Sequence, residues 1–350
     1  MNNTWPNTSI SQTDSTIFVF ETRCHFFRET YVYSSAFKWS FLSVGLLDVI
    51  LAALTSTLNL FTLVVIYKSK SLHTSSNMFI AGLATCDLCT GFITFPLNAT
   101  LNFYFSAAKT PCALRLTLNF VGYFFGHNGV LTLVLIATDR YIAVFHPYEY
   151  EMYTCTRRNI LYALLLAWAV SLVFVAGSFF TPNFMLYTIF VAITLLVLLI
   201  WSVYSQGKIL NITRQILREI RPTNHSTVEP ETSVFESQCV SEPTDGSCAY
   251  TVQTAETARA ELREIKRKAK DNLNAIKVTA LIIGAQYLCY IPHGVVVILY
   301  LLVEPTTSLH IAHGWTGTLA LMNSTLNPII YCWQLKGFIR AARILLSRSR

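Results

Sequence analysis

Few groups in this 350-residue chain could do chemistry, and most of them stand in apolar surroundings. Asp139, Arg140 and Tyr141 close an apolar run that reads LTLVLIATDRYIAVFHPY over 131–148. An acid beside an arginine at the foot of such a run is a charge pair that can open and close. Asp48, Asn59, Asp87, Asn323 and Asn327 interrupt other apolar stretches. A carboxylate inside a membrane helix is costly unless it faces a cavity or a partner, so it is a functional candidate by default. Asp48 lies near the end of its stretch and admits two readings, a hydrated group or a functional one. His127, His293 and His313 are also set among apolar residues. Each alone reads as a hydrogen-bonded packing residue; three facing one cavity would open acid sensing, because histidine titrates near neutral pH. No nucleophile–base pair, zinc spacing or phosphate loop is present, and the nine cysteines contain no CxxC pair. Neither enzymatic chemistry nor a metal centre is expected.

The elements that must position these groups are apolar helices. Hydrophobic residues make up 53% of the chain and charged residues 13%, with a mean hydropathy of +0.46. A soluble domain carries about a quarter charged residues, so this chain lacks the polar surface to be one. Runs of ~20 apolar residues span a bilayer as helices, and seven are present, at about 41–67, 77–103, 113–139, 159–181, 184–205, 273–302 and 312–333. They are too long and continuous for the alternating strands of a membrane barrel. The expected fold is an all-α membrane protein, a seven-transmembrane helix bundle.

Lysine and arginine set the orientation. With the amino end outside, the outer segments hold five of the 26 (Arg23, Arg28, Lys38, Lys109 and Arg115), and the inner segments hold 21. Basic residues near helix ends favour the cytoplasm, which puts the amino terminus outside and the carboxyl terminus inside. The net charge of +7 then reflects topology and the anionic inner leaflet; nucleic acid is not an expected partner. The chain divides into an extracellular segment 1–39, a membrane domain 40–346 with a long inner loop 206–271, and a tail 347–350. Asn2 and Asn7 head Asn-x-Ser/Thr glycosylation acceptors in the outer segment. Within the inner loop, 222–255 is rich in Ser, Thr, Pro and Glu and reads as disordered. From Glu256 onward, i,i+4 opposite charges predict a helix. Lys336 to Leu346 is a short amphipathic stretch that should lie on the inner membrane surface.

Depth brings several polar groups together. Asp87 lies ten residues beyond Asn77, roughly 15 Å into the membrane, and Asn59 is at a comparable depth. Asn323, Asn327 and Tyr331 recur at i, i+4 and i+8 and share a helix face. Pro328 and Pro292 interrupt the backbone bonding of their helices and should loosen or kink them. The convergence of Asn59, Asp87, Asn323 and Asn327 is open to two compatible readings, interhelical glue or a switch.

Together these motifs resemble the rhodopsin-like G-protein-coupled receptors. The resemblance rests on Asp139-Arg140-Tyr141, on Asn59, on Leu83-Ala84-Thr85-Cys86-Asp87, on Trp168 and on Tyr204. Cys289-Tyr290-Ile291-Pro292 and Asn327-Pro328-Ile329-Ile330-Tyr331 complete it, all in order over 40–346 apart from the inner loop. It implies a plasma-membrane receptor that passes the signal of an extracellular ligand to a heterotrimeric G protein. The coupling and activation residues would be Asp139, Arg140, Tyr141, Tyr204, Tyr290, Pro292, Asn327, Pro328 and Tyr331. It also implies an amphipathic eighth helix and a sodium-sensitive polar site at Asn59, Asp87, Asn323, Ser324 and Asn327; no other cofactor is expected. Gly129 departs from the family's usual serine, and Ser324 would supply an oxygen in its place. Tyr290 departs from the family's tryptophan, and Leu196 from its proline. Asn272 stands where the family's helix-6 acid pairs with the arginine, which implies a weakened lock.

The ligand pocket implied is lined by Gly122, Tyr123, His127, His293, Val297, His313 and Gly317. Gly122 replaces the aspartate of amine receptors, and Leu321 stands at the position of the retinal lysine, so neither a biogenic amine nor retinal is expected. The family usually bridges a cysteine atop helix 3 to the second outer loop, but that loop has none here. Only Cys24 and Cys112 face the oxidising side in this topology, so a Cys24–Cys112 disulfide is expected, drawing the amino-terminal segment across the pocket mouth. The competing function class is a seven-helix transporter or ion carrier using Asp48 and Asp87, and the absence of internal repeats speaks against it.

Overall fold

Four helices begin at a hydroxyl residue. Ser34, Thr74, Thr156 and Thr306 accept a hydrogen bond from the amide three residues on, at 3.2–3.4 Å, which satisfies a backbone donor that the first turn leaves open. The computed structural model describes residues 17–24, 27–150, 152, 156–180, 184–219 and 247–348. Its helices are α1 (Ser35–Lys68), α2 (Ser75–Cys89), α3 (Phe95–Ser106), α4 (Cys112–Phe145), a single turn α5 (Pro147–Glu149) and α6 (Arg157–Phe180). They continue with α7 (Phe184–Glu219), α8 (Ser247–Leu302), α9 (Thr307–Gln334) and α10 (Lys336–Arg348). Helices α2 and α3 form one span through a π turn at Thr90–Thr94, so the described residues contain seven long spans and a short last helix. Five of these are long and apolar enough to cross a membrane by length and composition. The fold is a seven-helix membrane bundle.

The π turn sits where α2 meets α1. A Cβ on Gly91 would lie 2.6 Å from Ser56 Oγ and 2.8 Å from its backbone nitrogen, so only glycine permits this approach. Large apolar side chains such as Leu46, Ile50, Leu166, Val173 and Leu288 are exposed around the helices. In a membrane they face lipid. Inside, one apolar core gathers Val65, Leu72, Phe79, Leu83, Leu133, Ile136, Ile282, Tyr331 and Phe338 at the Arg140 end of the bundle. Phe338 and Ala341 on α10 belong to it, while Arg340 and Arg343 are exposed; this is the amphipathic helix that the sequence predicts.

At the other end, within the expected extracellular segment 1–39, lies an element that the sequence reading does not foresee. Strands β1 (Phe18–Cys24) and β2 (Phe27–Tyr33) form an antiparallel hairpin. Phe18 pairs with Tyr33 and Phe20 with Tyr31, their rings stacked at 4.7 and 5.0 Å, and such cross-strand aromatic pairs stabilise a ribbon. Tyr31 is buried with Phe37, Phe41, Leu101 and Phe105 in a second core. That packing supplies what an isolated hairpin lacks.

Residues Met1–Gln206 with Val278–Arg350 form one unit, the bundle with its hairpin; Gly207–Lys277 form a second. In the second unit, helix covers 207–219 and 247–277. Ser247–Ala255, read as disordered from composition, is therefore helical. It contains neither Gly nor Pro, and once the following turns are formed, adding residues costs far less than nucleation. Asn2, Asn7 and the central part of the inner loop lie outside the described residues, as does the side chain of Asn272.

Candidate functional site

The arginine site is built on the last turns of α4. Arg140 donates through Nε to Asp139 Oδ2 at 2.9 Å and forms a close ion pair with the same oxygen through Nη2. Tyr150 completes the arrangement: its hydroxyl donates to Asp139 Oδ1 at 3.1 Å and accepts from Arg140 Nη2 at 3.2 Å. Asp139 is buried and Arg140 partly exposed, so the guanidinium sits at the edge of the core, tied to neighbours on its own side. Tyr141 stacks on Phe145 at 4.6 Å and lies 6.1 Å from Trp201 of α7. The indole of Trp201 donates to Thr138 Oγ1 at 3.1 Å and packs 5.9 Å from Tyr204. Tyr150 and Trp201 carry no motif, and sequence reasoning missed both.

One polar network crosses the middle of the bundle, and Pro328 explains part of it. Proline has no N–H, so the Ser324 carbonyl one turn back loses its helical donor. Asn59 Nδ2 takes that place, donating to Ser324 O at 3.0 Å as well as to Thr55 O at 2.9 Å. Asn327 Nδ2 donates to Asp87 Oδ2 at 2.8 Å, and the Ser324 hydroxyl also bonds to the Asp87 carboxylate. Thr55 and Thr325 share a hydroxyl–hydroxyl bond one turn away. Asn59, Asp87, Ser324 and Asn327 are thus in direct contact. Tyr331, one helical turn beyond Asn327, is fully buried, and its hydroxyl has no protein partner among the described residues.

Beside Asp87 is a cavity of ≈ 20 Å³, enough for a water or a small ion. Thr90, Thr94, Asn323, Ser324 and Tyr290 line it, together with Gly122, Gly126 and Gly129 of α4. Those three glycines fall on one helix face. A Cβ at Gly129 would meet nothing within 4 Å, so the space remains open where a side chain could have filled it. Thr94 Oγ1 and Asn323 Oδ1 are buried without a protein partner among the described residues. The Asp87 carboxylate, the hydroxyls of Thr90, Thr94, Ser324 and Tyr290 and the Asn323 amide oxygen make an all-oxygen donor set, the chemistry that suits a hard cation.

The expected ligand pocket divides. His293 and His313 meet across α8 and α9 with ring centroids 5.1 Å apart, and His293 Nδ1 lies 3.3 Å from Thr316 Oγ1. Gly317 faces them: a Cβ there would be 3.8 Å from His293 Cε1. Val297 is half-buried on the same helix as His293, and Tyr123 is 37% exposed. Gly122 belongs to the Asp87 cavity. His127 does not join the other two. It is buried against α6, 3.1 Å from Ser171 Oγ and stacked on Phe174 at 4.3 Å. At 100° per residue, position 127 cannot share the face of positions 122, 126 and 129. The third histidine beside His313 is instead His310, hydrogen-bonded to Tyr300, whose ring lies 5.1 Å from His313.

The hairpin packs onto this end of the bundle. Tyr31 packs 4.3 Å from His310 and accepts from Arg115 Nη1 at 2.8 Å. Cys112 is disulfide-bonded; the side chain of Cys24, its expected partner, lies outside the described ones. Cys86, Cys89, Cys289 and Cys332 are free thiols.

Residues 58–331 match the family model described as 7 transmembrane receptor (rhodopsin family). The chain is similar to the 5-hydroxytryptamine receptor 1B of Canis lupus familiaris, 27% identical over 361 residues that cover 91% of this chain and 90% of that protein. The same receptor of Mus musculus is 25% identical over 355 residues, 90% of each chain. That of Equus caballus is 26% identical over 372 residues, 91% of this chain and 90% of its own.

Proposed function

The chain belongs to the rhodopsin family of seven-transmembrane receptors, and from that premise we propose how its residues divide the work of signalling. It is a G-protein-coupled receptor, a multi-pass membrane protein and not an enzyme. The carrier reading built on Asp48 and Asp87 finds no support in these relationships.

The observation that carries the proposal is the way Arg140 is held. Its guanidinium is bound by Asp139 and Tyr150, so an activating change has to free it before it can reach the G-protein α subunit. Tyr141, Tyr204 and Trp201 form the aromatic wall of that inner site. Pro292 and Tyr290 on α8, with Asn327, Pro328 and Tyr331 on α9, form the moving parts, because both prolines lie inside helices. Asp87 links the two ends through Asn327. Asp87, Asn323 and Ser324, with Asn59 and Asn327 behind them, would hold a sodium ion that supplies charge balance for Asp87 and favours the resting state.

The extracellular ligand binds above Tyr290, between His293, His313, Val297 and Gly317, with Gly122 and Tyr123 on the α4 side. It is not a biogenic amine, because Gly122 offers no carboxylate for an ammonium group. The amino end is outside and the carboxyl end cytoplasmic, at the plasma membrane, with glycans on Asn2 and Asn7. Cys24 ends β1, the strand that packs beside α4, and bridges Cys112; the hairpin is a lid on the pocket.

Nucleotide exchange on a panel of purified G proteins, measured beside ion flux in the same vesicles, tests this reading. Exchange without flux is expected, and it should vanish in Arg140→Ala while the protein still reaches the cell surface. Full exchange by that variant overturns the mechanism.

A further inference from the structure

The sodium-type cavity leaves a second buried carboxylate unexplained. Asp48 on α1 is completely buried in the half of the bundle nearer the hairpin, several turns from Asp87. Three neutral side chains from two other helices surround it. Asn98 and Asn102 of α3 donate through Nδ2 to its Oδ2 at 2.9 and 2.8 Å, and Thr318 of α9 donates through Oγ1 to its Oδ1 at 2.8 Å. Titratable groups on the neighbouring elements are Lys38, Tyr67 and Lys68 on α1, Cys86, Asp87 and Cys89 on α2, and Tyr104 on α3. On α9 they are His310, His313, Tyr331 and Cys332, and the π turn carries none. The hydrogen-bond partners of Asp48 among the described residues are Thr318, Asn102 and Asn98.

A buried carboxylate needs a counter-charge or a proton. Both amides turn N–H groups toward Oδ2, and Asn98 also donates to Thr318 Oγ1 at 3.3 Å. The arrangement repels a metal ion and leaves Oδ1, bonded to Thr318, as the position for a proton. Thr318 suits either state of that oxygen. With the carboxylate ionised, its hydroxyl donates to Oδ1. With a proton on Oδ1, the same hydroxyl accepts it, and its own hydrogen turns to the carbonyl one turn back. Thr316 makes that back-bond to Ala312 at 2.8 Å. We propose that Asp48 is a proton-binding site, taking up a proton from water at the hairpin side of the bundle and releasing it again, with Thr318 as the adapting partner. The ionised form binds α1 to α3 and α9 through charge-assisted bonds, which are the stronger kind; uptake of the proton loosens that clamp. The assignment is independent of the receptor mechanism above.

Infrared spectroscopy of the purified receptor in lipid nanodiscs, stepped from acid to alkaline pH, tests it directly. A carbonyl stretch of a buried carboxylic acid should appear at acid pH and disappear at alkaline pH. The band should be lost in Asp48→Asn and kept in Asp87→Asn. Thr318→Val should move it to higher frequency by removing its acceptor, and Thr318→Ser should return it. A band that is the same in wild type and Asp48→Asn, or constant with pH, overturns the proposal. So does a band whose pH response follows replacement of sodium by a bulky organic cation, which would assign the site to a metal ion. Should Asp48→Asn fail to fold, Thr318→Val decides: a pH-dependent band that it leaves unmoved does not belong to Asp48.

Discussion

Replacing Tyr150 by Phe removes one hydroxyl and leaves the ring. That hydroxyl makes two bonds to charged groups, 3.1 Å to Asp139 and 3.2 Å from Arg140. A hydrogen bond to a charged group contributes about 1.5–3 kcal/mol. Both bonds here are long, and the Arg140 side chain is 20% exposed, so water replaces part of what is lost. The net weakening of the hold on Arg140 is about 1–2 kcal/mol. At ~1.4 kcal/mol per tenfold, the ratio of released to held arginine rises roughly 5- to 30-fold. Ligand-free nucleotide exchange should rise by that order wherever the held state dominates, because a population shift is read directly as activity. The assay is GTP-analogue uptake by reconstituted G protein at matched receptor amounts, with Asp139→Asn alongside. Unchanged basal exchange in Tyr150→Phe with a rise in Asp139→Asn would confine Tyr150 to loop packing. No change in either variant refutes the restraint itself.

The remaining predictions concern separate parts of the molecule. Asp87→Asn keeps an oxygen facing Asn327 but removes the charge; agonist response or its sodium dependence should change, and unaltered values for both would reduce Asp87 to packing. Gly91→Ala forces a Cβ against the Ser56 backbone and should cost about 1–3 kcal/mol. It should be visible as a lower Tm in detergent, and an unshifted Tm means that the π turn yields freely. Non-reducing peptide mapping should find Cys24 joined to Cys112; Cys112 joined to any other cysteine would remove the lid.

How much of this was legible in the chain follows from the range of the forces involved. Apolar runs against lipid need no partner to be recognised, because a backbone in hydrocarbon must close its bonds within the helix. The spans, the amphipathic α10 and the family motifs around Arg140, Asp87 and Asn327 were therefore readable from the sequence. So was the expected convergence of Asn59, Asp87, Asn323 and Asn327, since depth and helical periodicity are both local quantities. The structure joins Asn59, Asp87 and Asn327 through Ser324 and sets Asn323 beside Asp87 in the cavity. Only the tertiary structure decided which side chains meet across helices. Rotation about the helix axis sends His127 to Ser171 and brings His310 beside His313, and no spacing along one helix fixes that rotation relative to its neighbours. The hairpin was hidden because its few aromatic pairs become stable only against Phe37 and Phe105, residues outside it. Asp48 shows the division most plainly. Its sequence position left it between a hydrated group and a functional one. Burial, with bonds to Asn98, Asn102 and Thr318, removed the first reading, because the groups that enclose it come from residues about 50 and 270 positions away.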